Sequence, residues 1–134
     1  MAFNDTFRIS SHGVIFNALG QVLLLKATYG NCAWGLPGGA LEPGETIHQA
    51  LLRECKEELG IDVEIDYLSG VYFHSAHNSQ ACIFKVRLLG EQAICLSDEH
   101  SEYGYFDIET LSPVQKQRVQ QCAAFTGRVV SDAF

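Results

Sequence analysis

Basic residues are scarce in this chain. Nine Lys and Arg stand against 16 Asp and Glu among 134 residues, for a formal charge of −7. That balance excludes electrostatic attraction to a nucleic-acid polymer as the main source of affinity. A small polyanion would need a local cation, such as a bound metal. Long apolar runs are also missing. No segment approaches the roughly 18 residues of a spanning helix, so no membrane partner is expected. The opening MAFNDTFRISSHG has neither a basic n-region nor an apolar h-region, and the expectation is a cytoplasmic protein without a secretory leader. The five cysteines, Cys32, Cys55, Cys82, Cys95 and Cys122, never take the CxxC spacing of a zinc site and read as small buried thiols. No repeat, low-complexity tract or linker divides the sequence, so residues 1–134 are expected to form one domain.

At 47% hydrophobic, the chain has enough apolar material for a real core. Phe7 to Phe16 and Gln21 to Lys26 flank the turn Asn17-Ala18-Leu19-Gly20 and read as a hairpin. A glycine-rich loop, TYGNCAWGLPGG, follows. Thr46 to Leu59 reads as a helix, with a T-x-x-Q capping box at Thr46 and Gln49 and a stop at Gly60. Val63 to Phe73 and Ala81 to Leu89 read as strands joined by a polar loop. The acidic loop Ser97 to Glu102 precedes a short strand, Tyr103 to Phe106. Ser112-Pro113 opens a second helix with proline at its first position, fraying near Thr126-Gly127. This order predicts an α/β or α+β layered domain with a mixed sheet between helices.

The first helix concentrates negative charge. On a wheel of about 100° per residue, Ile47, Leu51, Leu52, Cys55 and Leu59 share one arc. Glu54, Glu57 and Glu58 fall on one edge of that arc rather than on the far face. Like charges at this spacing repel, and the C-terminal half of a helix disfavours anions. Arg53 is expected to neutralise one carboxylate, not three. Two readings remain open on spacing alone: a solvated acidic face, or a site for a hard divalent ion with oxygen ligands, Mg²⁺ or Mn²⁺. Gly38-Gly39 allows close approach of the backbone, and a carbonyl there could add a ligand. Glu45 is placed to pair with Arg53 and hold the loop onto the helix.

Taken together, Gly39, Glu45 and Arg53-Glu54-Cys55-Lys56-Glu57-Glu58-Leu59-Gly60-Ile61 resemble the Nudix box, GX5EX7REUXEEXGU, at every fixed position. Cys55 at a bulky apolar position is the one soft departure. The preceding WGLPGG is also typical of that family. The resemblance implies the Nudix fold, an α/β/α sandwich, and Mg²⁺-dependent hydrolysis (Mn²⁺ substituting) of a nucleoside diphosphate linked to another group. By the same resemblance, Glu54, Glu57 and Glu58 would bind metal, with the Gly38 carbonyl as a further ligand, and Glu45 and Arg53 would form the structural pair. The general base varies in the family, either a box glutamate, with Glu54 preferred, or a later acid. The segment SDEHSEYGYFDIETL is similar to the family's E-x-x-E-x-x-W segment. There Glu99 and Glu102 take the acid positions and Tyr105 stands where tryptophan is common. Dimers are common among relatives, so a homodimer is compatible with the resemblance.

The substrate is less legible. No proline lies between Pro43 and Pro113, where many ADP-ribose hydrolases carry one. His77-Asn78-Ser79 replaces the tyrosine region of dinucleoside polyphosphate hydrolases, and the NADH and coenzyme A signatures are absent. These absences favour a nucleoside triphosphate or a related small nucleotide. Candidate substrate contacts are Phe73 or Tyr72 for stacking, His74 or His77 for hydrogen bonds, Phe7, Arg8 and His12 on the first strand, and Lys26 for a phosphate. A module that senses a nucleotide without cleaving it is the competing reading. It would be favoured by loss of a box acid, and none is lost.

Overall fold

The computed structural model describes residues 2–134. Its strands are β1 (Arg8–Val14), β2 (Val22–Ala27), β3 (Trp34–Gly35), β4 (Gly38–Ala40), β5 (Val63–His74), β6 (Ser79–Leu88), β7 (His100–Phe106) and β8 (Val130–Ala133). The helices are α1 (Ile47–Leu59) and α2 (Pro113–Ala123). A five-stranded mixed sheet runs in the order β4-β1-β6-β5-β8, and a three-stranded sheet in the order β3-β2-β7. Strands β1 and β6 are parallel, as are β5 and β8, while β1–β4 and β5–β6 are antiparallel.

Alternation along the strands explains the layering. In β6, Cys82, Phe84 and Val86 pack with Leu51, Cys55 and Leu59 of α1, whereas Ile83 packs with Val119 and Cys122 of α2. In β2, Leu23 and Leu25 join the α1 side, and Val22 and Leu24 join the α2 side. The side-chain period of two thus sends successive residues into two cores, one under each helix. This is the α/β Nudix-type arrangement of sheets between helices.

Local chemistry sets the ends of α1. The Thr46 hydroxyl accepts from Gln49 N at 3.1 Å, and Gln49 Oε1 accepts from Thr46 N at 3.0 Å. That closes the expected capping box. Gly60 ends the helix in the left-handed region at φ 69°, with its N–H donating to the Lys56 carbonyl. The Ser11 hydroxyl donates to the Ile47 carbonyl at 2.8 Å and ties β1 to the start of the helix.

Several expectations need correction. The Asn17–Gly20 turn forms, with Asn17 Oδ1 accepting from Leu19 N and Gln21 N. Its flanks pair only at its base, because β1 and β2 then enter different sheets. The glycine-rich loop is not loop throughout, since Trp34–Gly35 pairs with β2 and Gly38–Ala40 with β1. Strand β7 begins at His100, inside the expected acidic loop, and β8 lies beyond α2, where the sequence reading assigned no element. Cys55, Cys82 and Cys122 are buried as expected, while Cys32 and Cys95 are exposed.

Candidate active site

The expected acids meet where α1 passes β4 and the start of β7. Arg53 is the organising cation. Its Nε and Nη2 donate to the two oxygens of Glu45 at 2.7 and 2.9 Å, a forked pair. Its Nη2 also donates to the Ala40 carbonyl at 3.2 Å, which fastens the loop before the helix. Nη1 reaches Glu54 at 3.0 Å, Glu57 at 3.3 Å and Glu42 at 3.7 Å. Its single positive charge still offsets only one of these carboxylates, although its contacts extend further. The planar guanidinium spreads over four, which a point-like ammonium could not do. Glu42, though exposed, also closes the turn, its N–H donating to Glu45 Oε1 at 2.8 Å.

Glu58 receives no share of that cation. It is 2% exposed. Oε1 accepts from Gly38 N–H at 3.2 Å, and Oε2 lies 3.6 Å from Nε2 of His100. Burial, then a hydrogen bond with Glu54 and the Glu54 charge, push its carboxyl up to about 9, with Glu99 adding a smaller push. Burial lowers the His100 pKa against the raising charges of Glu99 and Glu54. Its Nδ1 is buried without a partner. Tyr29 is close enough that Glu58, Glu99 and Glu54 all act to raise its phenol, after burial.

The two glycines of the loop have different jobs. At Gly38, with φ 141°, a Cβ would sit 2.1 Å from the Ser11 carbonyl oxygen, so the position is closed by the β1–β4 pairing. At Gly39 a Cβ would meet the Glu54 carboxylate at 2.8 to 3.1 Å. Glycine here is what allows Glu54 to lie against the backbone.

Two cavities of about 500 Å³ each share His12, Tyr29, Gly39, His77 and Arg118, and so form one cleft. One part reaches Glu58, His100, Trp34 and the β3–β4 loop. The other is lined by Arg8, His74 and Ser79 and by no acidic residue.

The remaining expected contacts divide. Arg8, His12, His74 and His77 line the cleft. Phe73 pairs with Gln80 and Ala133 on β5 and lines neither cavity, and Phe7 is an exposed side chain outside both. Tyr72 is fully buried, its hydroxyl donating to Gln121 at 2.6 Å, so it is core rather than a stacking surface. Lys26 and Glu102 face each other across β2–β7 and pair at 3.5 Å. Glu99 belongs to the loop that Thr28 tethers, Thr28 N donating to its carbonyl at 2.9 Å. The sequence reading missed Tyr29, His100, Gln115 and Arg118. Arg118 carried a signal: it lies four residues before Cys122 and one before Val119, on the arc of α2 that is buried.

Among the described residues, no three His, Cys, Asp or Glu side chains stand close enough to enclose an ion as they are. The donor set nevertheless fits a hard divalent cation. Two carboxylates are forced together, one of them buried and short of positive charge, and hard oxygen donors suit Mg²⁺ or Mn²⁺.

A NUDIX domain model matches residues 6–125. A MutT-like protein of Streptomyces ambofaciens is 38% identical over 82 residues, 61% of this chain and 53% of the relative. The nucleoside triphosphatase NudI of Salmonella paratyphi B is 32% identical over 91 residues, 59% of this chain and 64% of the relative. The matched stretch thus spans about half to under two thirds of those relatives. The crystal structure of a MutT NUDIX hydrolase from Burkholderia pseudomallei superposes with a TM-score of 0.73 at 28% identity, covering 87% of this chain and 98% of that one. With the box, the layered fold and a family match along most of its length, this chain belongs to the Nudix hydrolase family.

Proposed function

We propose that the chain is a divalent-metal-dependent pyrophosphohydrolase that cleaves a diphosphate bond in a nucleotide, a nucleoside triphosphate before other nucleoside diphosphate derivatives. The observation that carries this reading is the Glu54–Glu58 pair. A solvated acidic face would not bury Glu58 to 2% exposure and hold its carboxyl near 9; a site that awaits a cation would. Glu54, Glu57 and Glu58 would hold the ion, Mg²⁺ with Mn²⁺ substituting, and the Gly38 carbonyl is the further oxygen donor. When bound, the ion would neutralise the phosphates and make a coordinated water acidic.

The chain's own groups supply the rest. Arg53 ties Glu45, Glu54 and Glu57 to one guanidinium, which keeps Glu54 and Glu57 near each other on the helix. Glu54 rests against Gly39 and is assigned as the general base that accepts the proton of the attacking water. Glu99 is the loop acid whose charge is felt at Glu58, whereas Glu102 is engaged by Lys26. The similar NudI proteins are nucleoside triphosphatases by name, which supports nucleoside triphosphates as the first substrates to test.

The test is product formation from a panel: pyrophosphate or phosphate from canonical and oxidised nucleoside triphosphates, and nucleotide products from ADP-ribose, nucleotide sugars and dinucleoside polyphosphates. Activity is expected to require Mg²⁺ and to fall by about a hundredfold or more in Glu57→Gln, as for loss of a charge-stabilising group. Undiminished turnover in EDTA would overturn the proposal. Tight nucleotide binding without turnover would identify a sensor instead.

A further inference from the structure

Arg118 presents the opposite problem to Glu58. It is 7% exposed and has no carboxylate within 4.0 Å among the described residues. Its Nη1 donates to His74 Nε2 at 3.3 Å, Nη2 donates to Gln115 Oε1, and Nε has no partner. All these partners are neutral. Because arginine only donates, His74 must accept at Nε2, which places any imidazole proton of the neutral ring on Nδ1. Burial, followed by the Arg118 charge, keeps the His74 pKa low, and the same two causes in the same order bring His12 down to about 3. The histidines therefore offer hydrogen bonds but no charge, and none of them offsets the arginine.

A buried cation without a counter-charge is costly unless something pairs with it. This chain does not leave its cations unpaired by habit. Of nine Lys and Arg, six pair with carboxylates. Among the described residues, the three that do not are Arg8, Arg118 and the exposed Arg128; the first two line the part of the cleft that has no acidic residue, with Arg118 at its junction with the part that Glu58 lines. The overall charge of −7 makes that concentration harder to assign to chance surface placement.

We propose that Arg118, with Arg8 at the rim, is an anion-binding site of the cleft that receives a phosphate group of the substrate at the junction with, and in, the part lined by no acidic residue. A neutral base edge would need hydrogen bonds, which His12, His74 and Gln115 already supply; a fixed positive charge calls for an anion. The inference builds on the pyrophosphohydrolase reading and narrows it. The preferred substrate carries phosphate charge beyond what the acidic end handles, as a nucleoside triphosphate does or a nucleotide whose second group is itself phosphorylated.

Binding is best read without turnover, so that a failure of the hydrolase proposal stays separate. Calorimetric titration of the metal-free protein in EDTA, with inorganic pyrophosphate and with guanosine as probes, makes the comparison. Pyrophosphate affinity is expected to fall about tenfold in Arg118→Gln, as for loss of a charge-assisted contact of roughly 1.4 kcal/mol. It should recover largely in Arg118→Lys and fall by about threefold in the exposed Arg8→Gln variant, while guanosine binding stays within twofold. Arg8→Gln and the salt dependence of the wild type keep the test open should Arg118→Gln misfold, because pyrophosphate binding must weaken as salt rises. Unchanged pyrophosphate affinity in folded Arg118→Gln, salt-independent binding, or equal losses for guanosine and pyrophosphate would each overturn the site as an anion receptor.

Discussion

Replacing Glu58 by glutamine should make the metal-free protein more stable while stopping catalysis. The native carboxyl is held near 9 against an ordinary value of 4.5. A carboxyl whose folded pKa is raised keeps its proton in the native state after the unfolded chain has released it. The native state then binds more protons, and stability falls as pH rises from about 4.5 through about 9. Each pH unit in that window costs about 1.4 kcal/mol, so at pH 8 the ceiling is about 5 kcal/mol. Local relaxation and water entry lower this to about 2–4 kcal/mol. Glutamine is neutral, has nearly the same shape and still accepts from Gly38 N–H. Thermal unfolding in EDTA between pH 5 and 9 should show wild-type Tm declining toward high pH. The Glu58→Gln curve should be flatter and about 10 °C higher at pH 8. A wild-type Tm that is constant or rises across that range, or a variant less stable than wild type at pH 8, would refute the assignment of Glu58 as a buried, charge-starved carboxyl.

Arg53→Lys should lower Tm by about 3–6 °C, because an ammonium cannot hold Glu45 in a fork while reaching Glu54, Glu57 and the Ala40 carbonyl; calorimetry checks it, and a neutral result would mean the network is incidental. Gly39→Ala should leave the far-UV spectrum and Tm near wild type and cut turnover at least tenfold, since the new methyl meets only the carboxylate end of Glu54 and no backbone. Gly38→Ala should instead cost about 2–4 kcal/mol in urea unfolding, because the obstacle is the Ser11 backbone and φ is positive. Thr46→Ala should cost about 1 kcal/mol by loss of the capping box, with turnover per folded molecule unchanged.

Local rules made much of this protein legible in its sequence. Helix α1 was bounded by Thr46, Gln49 and Gly60 because caps act within four residues. Its apolar arc and acidic edge followed from the helical period, except that Leu52, placed on that arc, is exposed while Ala50 is buried, and Glu45 with Arg53 followed from their places in the box. The same period put Glu54, Glu57 and Glu58 together. It could not say that Glu58 alone would be buried beneath Gly38, or that Arg53 would serve four carboxylates, since both depend on where β4 and β7 lie.

Tertiary structure decided what sequence spacing does not carry. The Asn17–Gly20 turn reads identically whether its flanks continue as one hairpin or part into two sheets, and only the packing of β1 beside β6 and of β2 beside β7 chooses. Phe73 and Tyr72 looked like stacking surfaces because aromatic type says nothing about which face of β5 meets a core. Arg118 and Arg8 are 110 positions apart and meet at one cavity because α2 returns over the sheet that begins with β1. The box acids were determined by short-range periodicity. The buried Arg118, which shares part of the cleft with Glu58, was placed by the fold, because burial and pairing depend on elements distant in the chain.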